Sequence, residues 1–191
     1  FLLREVPFGN DGDFSRTAMV NRINGELAND FGNLAQRVLS MINKNCDGKV
    51  PEPGTFSDDD KALLEGADNL LGNVRQSLDA QAFHTALEKI WVEIRAANSY
   101  VDRQAPWALK KEDPDRMQTV LYVLAETIRQ LALIVQPFVP EAAGKMLDQV
   151  AIEQTARDFT NCGEAGRLAA GSDLPKPEGV FPRHIEEETA N

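Results

Sequence analysis

The sequence predicts an all-α fold, a helical bundle with an irregular N-terminal connector and an irregular C-terminal tail. Apolar residues recur at steps of three and four along several long stretches, as they do on the buried face of an amphipathic helix. Clusters of proline, glycine and aspartate, which favour turns, separate these stretches. With 191 residues, of which 42% are hydrophobic and 26% are charged, the chain can bury a substantial core.

The N-terminal part is predicted to hold a connector and two helices. The connector, residues 1–14, begins with an apolar run and ends in turn-forming residues. A first helix is predicted from Ser15 to about Asn29, and a second helix runs to about Asn45. Gly32 predicts a bend or a helix junction between the two. Both helices contribute to one apolar seam, made of Leu27, Phe31, Leu34, Val38 and Met41.

The middle of the chain predicts two more bundle helices. Residues 48–57 contain two prolines and two glycines and are predicted to form a loop. Ser57 and the three aspartates after it are a strong helix start, because acidic side chains favour the positive end of the helix dipole. The apolar face of this third helix comprises Leu63, Ala67, Leu70, Val74 and Leu78. The face of the fourth comprises Phe83, Leu87, Ile90, Ile94, Ala97 and Val101.

The last third predicts one long helix, one short helix and a tail. The long helix covers residues 117–136, with a seam of Val120, Leu124, Ile128, Leu131 and Val135, and the short one covers residues 141–152. The tail, residues 153–191, has a loose pattern broken by prolines, and its apolar residues Val180, Phe181 and Ile185 are expected to dock. The predicted organisation is therefore 1–14, 15–152 and 153–191.

A pair of polar residues stands at the edge of the seam in the second helix. Asn33 and Arg37 are four residues apart, so their side chains lie one above the other on the same helix face. An amide and a guanidinium together present planar hydrogen-bonding groups, which suit the edges of nucleic-acid bases. Neither group titrates usefully near neutral pH, so the pair is not catalytic. A solvated surface pair is the alternative interpretation.

The end of the fourth helix carries a tryptophan on a rigid corner. Pro106 ends the helix and fixes the backbone beside Trp107. Such a tryptophan is either a plug for the core or an exposed platform on which a base stacks. Arg103, Lys110 and Lys111 flank it with positive charge that suits a phosphate backbone, although lysines here are also typical of a solvated helix start. Trp91, beside the seam of the fourth helix, is predicted to be a core residue.

Charge and motifs restrict the possible functions. The net charge of −10 gives no global basic field, so any nucleic-acid site must be a local patch. Zinc-protease, nucleophile-elbow, P-loop and dinucleotide-binding signatures are all missing from the sequence. Neither histidine, His84 or His184, follows a glutamate by three residues, as di-iron bundles require. We therefore expect no catalysis, no metal and no cofactor in this chain.

The chain carries no sign of a membrane or secretory protein. It has no run of eighteen apolar residues and no signal-peptide pattern. Cys46 and Cys162 lie far apart, which favours free thiols in a reducing, cytoplasmic compartment; one long-range bridge between them is the alternative. Because the chain opens at Phe1 within an apolar run, we expect it to be part of a longer protein.

Three groups of residues form a specific combination that covers nearly the whole chain. They are Phe1–Gly9 with Asp11–Ser15; Asn21–Asn24 with Leu27–Asp30, Gly32–Ala35 and Arg37; and Ala97–Asn98 with Tyr100–Asp102 and Gln104–Trp107. Together they resemble the C-terminal part of bacterial methionyl-tRNA synthetases, which are class I aminoacyl-tRNA synthetases. The groups match, in order, the connector after the catalytic domain, the first helices of the anticodon-binding domain and its anticodon-contact corner.

The resemblance implies a helical anticodon-binding domain and roles for individual residues. It implies that Asn33, Arg37 and Trp107 recognise the CAU anticodon of methionine tRNA. Trp107 would then stack on a splayed base while the other two bind base edges, and Pro106 would hold the backbone of Trp107. Contacts to phosphates are expected from Arg103, Lys110, Lys111 and Lys44.

The resemblance also implies an enzyme as the parent protein. The parent would join methionine to its tRNA with ATP, but the adenylate-forming signatures and the zinc-binding insert are missing here. The expected partners are therefore methionine-specific tRNA and a catalytic domain in the same parent chain. The tail would dock on that domain or, in its absence, fold onto the bundle. Without that domain we expect exposed or repacked apolar residues in the connector.

Two alternatives belong to other functional classes. A helical protein-interaction domain would bury Trp107 and would ignore RNA, whereas an anticodon reader would expose Trp107 close to Asn33 and Arg37. A metal- or ligand-holding four-helix bundle lacks its Glu-x-x-His motif.

Overall fold

The computed structural model describes residues 1–6, 8–12 and 14–185. In these ranges the chain forms helices α1 (Leu2–Glu5), α2 (Arg16–Arg22), α3 (Asn33–Asn45), α4 (Asp58–Asp79), α5 (Phe83–Gln104), α6 (Pro106–Glu112), α7 (Pro114–Val135) and α8 (Pro140–Gln149). A π-helical segment, Ile23–Gly32, joins α2 to α3. No strand occurs within the described ranges, and the predicted all-α class is confirmed.

Helix α7 is the centre of the bundle. Every residue from Thr119 to Val135 is buried, and the helix packs against α3, α4, α5, α6 and α8. It begins at Pro114, three residues before the predicted start, because the Asp113 side chain accepts a hydrogen bond from the Arg116 N–H and caps the first turn. By length and composition α7 could cross a membrane, but 94% of its most apolar stretch is buried inside the bundle.

The chain stays helical through the junction predicted at Gly32. Ser15 caps α2 by accepting a hydrogen bond from the Ala18 N–H at 3.2 Å. The hydrogen-bond pattern then widens, so that the N–H of Asn33 donates to the carbonyl of Ala28, five residues earlier. The junction is thus a change of helix type rather than a bend, and the α-helical pattern resumes at Asn33.

Helices α4 and α5 form a long pair joined by a short turn. The predicted start of α4 is confirmed, because Ser57 and Asp60 form a reciprocal capping box. Helix α5 runs to Gln104, directly before the corner at Pro106. This pair brings the end of α5 and the start of α4 to the same end of the bundle, where Gln104 bonds to Asp59 at 3.1 Å.

In the connector, Leu2–Glu5 form one helical turn, α1, that contacts α5. Arg4 pairs with Glu26 and Glu88, at 3.2 Å each. Leu2 and Phe8 are 66% and 63% exposed, and the expected exposed apolar residues are therefore present. The bounds of the connector, the helical domain and the tail remain predictions.

A buried ion pair in α7 anchors the first part of the tail. Arg129 and Glu126 are almost fully buried and pair at 2.6 Å. Arg129 also donates to the carbonyl of Asn161 at 2.7 Å, and Glu126 accepts from the N–H of Leu168 at 3.1 Å. The pair thereby satisfies backbone groups of a segment made of short 3₁₀ turns, which has few hydrogen bonds of its own.

The second part of the tail lies across the π-helical segment. The Phe181 ring packs against Phe31, with centroids 6.1 Å apart, and Val180 also contacts the core. The Asn24 side chain donates to the carbonyl of His184 and accepts from its N–H. Val180 and Phe181 thus pack on the bundle itself, whereas Ile185 is 81% exposed. Residues 186–191 lie outside the described ranges.

Candidate nucleic-acid interface

Helix α3 presents the predicted polar pair on its outer edge. Asn33 is the first residue of α3 and is exposed, while Arg37 lies one turn later with 29% of its side chain exposed. The opposite face of the same turns, including Leu34 and Val38, is fully buried. The burial of this seam fixes the helix and holds both polar residues at the surface.

Two residues of α5 hold the Arg37 guanidinium. Nη1 donates to Asp102 at 3.1 Å and Nη2 donates to the side-chain carbonyl of Asn98 at 3.4 Å. Asn98 is itself fixed, since its amide donates to the carbonyls of Asp30 and Ile94 at 3.1 Å each. Asp102 is 66% exposed, so its ion pair with Arg37 contributes at most about 1 kcal/mol and a polar ligand can replace it.

The predicted corner follows directly after these contacts. Ala105 adopts left-handed backbone angles, φ 43° and ψ 59°, which cost roughly 1–2 kcal/mol for a residue with a Cβ. Pro106 is buried at the first position of α6, where its missing N–H is harmless. Trp107 then projects outward and is 53% exposed. The corner therefore displays the indole at the surface instead of inserting it into the core.

One face of α6 combines the indole with positive charge. Lys110 and Lys111 lie three and four residues after Trp107 and are exposed, so the three side chains share this face. Arg103 is also exposed and lies 3.8 Å from Asp59. Lys44 is exposed in the last turn of α3, two turns beyond Arg37, and is thus further along the same helix.

A buried carboxylate lies behind the corner. Asp60 is fully buried and accepts hydrogen bonds from the hydroxyl of Tyr100 at 2.5 Å and from Arg116 at 2.5 and 2.7 Å. Burial alone would raise the pKa of Asp60, but the bonds from Arg116 and Tyr100 outweigh it and lower the pKa to about 2. The carboxylate is therefore charged at neutral pH and keeps Arg116 in place.

The other reactive groups offer little chemistry. In the described ranges, no three His, Cys, Asp or Glu side chains approach closely enough to hold a metal ion. Both cysteines are free, and burial raises the pKa of each thiol, which disfavours the nucleophilic thiolate at neutral pH.

Comparison with known families assigns the chain. Residues 50–191 match the family model described as the anticodon-binding domain of methionyl tRNA ligase. The chain belongs to this family. Residues 1–39 of this chain match a second family model, described as class I (M) tRNA synthetases. The resemblance stated from the sequence is confirmed.

Curated relatives of this anticodon-binding domain are longer proteins. The methionine–tRNA ligase of Brucella suis is 54% identical over 191 residues, which are 100% of this chain and 37% of the relative. The ligase of Mycobacterium tuberculosis strain H37Rv is 53% identical over 188 residues, with 96% and 36% covered. The chain thus spans little more than a third of the length of these relatives.

Solved structures agree with the assignment of the domain. The apo form of Mycobacterium tuberculosis methionyl-tRNA synthetase superposes with a TM-score of 0.94 at 52% identity, covering 98% of this chain and 38% of that one. The same enzyme bound by methionyl-adenylate gives 0.92 at 53% identity, with 95% and 36% covered.

The sequence missed the residues that hold the site together. Asn98 and Asp102 belong to the resemblance, but only the folded domain pairs them with Arg37. Their spacing of four residues, the same as that of Asn33 and Arg37, was the available signal, since both pairs then form polar edges on neighbouring helices. The partners of Trp107 remain a prediction, as do the phosphate contacts.

Proposed function

We propose that this chain is the module of a methionine–tRNA ligase that recognises the CAU anticodon of methionine-specific tRNA. The observation that carries the proposal is the exposed indole of Trp107, held on a rigid corner five residues after the aspartate that pairs with Arg37. The alternative, an interaction domain in which Trp107 is structural, would bury the indole, whereas 53% of the residue is exposed.

Each proposed contact uses the chemistry of one side chain. Trp107 stacks on an anticodon base that is splayed out of the loop, as aromatic residues do in single-stranded RNA recognition. Arg37 and Asn33 bind base edges, Arg37 by exchanging its exposed partner Asp102 for a base carbonyl or ring nitrogen. Pro106, which is buried, keeps the backbone of the tryptophan fixed.

Phosphates are contacted by the lysines on the same face of α6. Lys110 and Lys111 flank the stacked base, while Arg103 and Lys44 extend the positive charge on either side. Because the whole chain is acidic, this local patch rather than a global field attracts the loop.

The parent enzyme joins methionine to its tRNA at the expense of ATP in the cytoplasm, and its catalytic domain forms the activated amino acid. Methionyl-adenylate is bound by the Mycobacterium tuberculosis relative, which supports ATP and methionine as ligands of the parent. This chain supplies no catalytic residue and binds neither ligand itself.

A titration with two RNA stem-loops tests the proposal. One loop carries CAU and the other a changed wobble base, and tryptophan fluorescence follows binding at two salt concentrations. We expect the chain to bind the CAU loop more tightly than the other loop. We expect Trp107→Ala to weaken binding of the CAU loop by roughly 5- to 150-fold, which corresponds to the loss of about 1–3 kcal/mol of base stacking. The fluorescence of this variant comes from Trp91 alone, so its affinity is measured with a labelled RNA.

A matched control is Val92→Ala, since Val92 is 57% exposed in the groove between α4 and α5. It should bind both loops as the unmodified chain does. Equal, salt-sensitive binding of the two loops would reduce the function to a phosphate patch. If the chain binds neither loop and the full-length ligase also lacks a preference, the proposal is refuted.

A further inference from the structure

Arg116 links the buried carboxylate to the end of α5. Its Nη2 group donates to Asp60 at 2.7 Å and to the side-chain carbonyl of Gln104 at 2.7 Å. Gln104 is the last residue of α5, and Arg116 lies in the first turn of α7. Their hydrogen bond joins residues that are twelve positions apart in the sequence. The segment between them contains Trp107 and the whole of α6.

This segment depends on its ends for its position. Helix α6 has only seven residues, too few to be stable alone, and it packs chiefly against α7. It starts from the left-handed Ala105, a strained conformation that persists only where the surrounding contacts enforce it. A bond between Gln104 and Arg116, at the two ends of the segment, is such a contact.

We infer that Gln104 and Arg116 form a clasp that holds α6 in the orientation in which Trp107 stacks on the anticodon, a role that rests on the proposed function. Both are positioning residues, because they act on the RNA through the orientation of α6 and not by direct contact. Asp60 fixes the clasp by accepting hydrogen bonds from Nη1 and Nη2 of Arg116, at 2.5 and 2.7 Å. The side-chain amide of Gln104 also donates a hydrogen bond to Asp59 at 3.1 Å, which links the end of α5 to the start of α4.

Three variants separate the clasp from general packing. Gln104→Met keeps the volume of the side chain and removes both of its hydrogen bonds. Gln104→Glu combined with Asp59→Asn keeps an acceptor for Arg116 and lets the side chain at position 59 donate the second hydrogen bond, so this double variant is the conservative rescue. Gln76→Met makes the same chemical change at an exposed position of α4. Each variant and the unmodified chain are titrated with the CAU loop and the changed-wobble loop, with labelled RNA.

A second measurement reports on the corner without RNA. Incorporation of 5-fluorotryptophan gives one ¹⁹F resonance for each tryptophan, and Trp107→Phe assigns them. We expect Gln104→Met to shift the Trp107 resonance and leave that of Trp91 unchanged, and to weaken binding of the CAU loop about tenfold while abolishing the preference for CAU. Gln104→Glu combined with Asp59→Asn should stay within threefold of the unmodified chain, and Gln76→Met should match it.

The outcomes distinguish the inference from the proposed function. If the unmodified chain and the full-length ligase both lack a preference for CAU, the proposed function fails and the clasp loses its role. If the unmodified chain prefers CAU and Gln104→Met retains both the preference and the affinity, the clasp alone is refuted, whether or not the Trp107 resonance shifts. A loss of affinity that Gln104→Glu combined with Asp59→Asn does not restore also refutes it.

Discussion

Two tryptophans of this domain have opposite environments. Trp91 is 5% exposed within the core, as its place beside an apolar seam predicts, whereas Trp107 is 53% exposed. The sequence left Trp107 open between a core plug and a surface platform, because a residue just after a helix-ending proline belongs to no periodic pattern. Only the direction of α6, which is set by tertiary contacts, decides between the two.

The first prediction uses this contrast. We expect Trp91→Ala to lower the free energy of unfolding by about 3–5 kcal/mol, because it leaves a large cavity in the core. Trp107→Ala should lower it by less than about 1 kcal/mol, since the indole has few partners to lose. Urea unfolding followed by circular dichroism measures both changes. A large loss of stability from Trp107→Ala would mean that the indole is structural.

Glu93 carries a carboxyl group in the groove between α4 and α5. Its carboxylate lies against Gly66, where an added Cβ would come within 2.8 Å of Oε2, and it forms no ion pair with any described residue. Burial raises the pKa of Glu93 to about 7. Between about pH 4.5 and 7 the folded chain therefore binds more protons than the unfolded chain, and stability falls as the pH rises through this window.

We therefore expect Glu93→Gln to raise the free energy of unfolding at pH 8 by about 1–2 kcal/mol, since a neutral amide replaces a poorly solvated charge. Near pH 4.5 the gain should disappear, because Glu93 is then protonated. Urea unfolding at the two pH values measures the difference. Glu65→Gln, at an exposed position of the same groove, is the control and should change stability little at either pH.

At the scale of single elements, the helices were predictable and their joints were not. Periodicity located the long helices because each buries one continuous face, and the capping box at Ser57 fixed one boundary. The π-helical segment escaped prediction, since the π pattern changes only the hydrogen-bond partner and leaves no mark on apolar spacing. A glycine at its end looked like a bend, whereas its backbone is helical.

The π-helical segment needs a glycine at position 32 because a side chain there would be crowded, not because the backbone needs conformational freedom. An added Cβ would lie 3.0 Å from the carbonyl oxygen of Leu27 and 3.3 Å from the Cβ of Phe181 in the tail. We expect Gly32→Ala to lower the free energy of unfolding by about 1 kcal/mol, because crowding outweighs the helix propensity of alanine. It should also loosen the tail, so that trypsin cleaves after the exposed Arg183 faster.

Gly25, in the same segment, is the matched control. No atom lies within 4 Å of the position of its added Cβ, so Gly25→Ala should gain about 0.5–1 kcal/mol from helix propensity and leave the cleavage rate unchanged. Equal effects of the two substitutions would show that the tail does not depend on the surface of the π-helical segment.

For the whole molecule, the fold class and the edge pair followed from local patterns, but the assembly of the site did not. That Asn33 and Arg37 share a face is a property of one helix. That Arg37 meets Asp102 and Asn98 depends on how α3 packs beside α5, which spacing within each helix does not encode. The family resemblance grouped Asn33 and Arg37 with Trp107, but it did not supply the contacts of Arg37 with Asp102 and Asn98, which only the packed helices show.

The net charge of −10 leads to a prediction about the salt dependence of RNA binding. If only a local patch contacts phosphates, few counter-ions are released and log K should fall gently with log salt. Lys110→Ala with Lys111→Ala should weaken binding of the CAU loop and of the changed-wobble loop to the same extent. It should also reduce the slope of log K against log salt by about 1.4, or about 0.7 for each lost contact. RNA titrations at several salt concentrations measure the slopes.

Lys145→Ala with Arg16→Ala changes the net charge by the same amount at exposed positions of α8 and α2. This control should leave the slope unchanged, since release of counter-ions depends on contact and not on total charge. Trp107→Ala should do the reverse of the α6 lysines: it removes the preference for CAU and preserves the slope, because stacking involves no ion. If the two double variants alter the slope equally, the overall field of the protein governs binding, and the local patch on α6 has no special role.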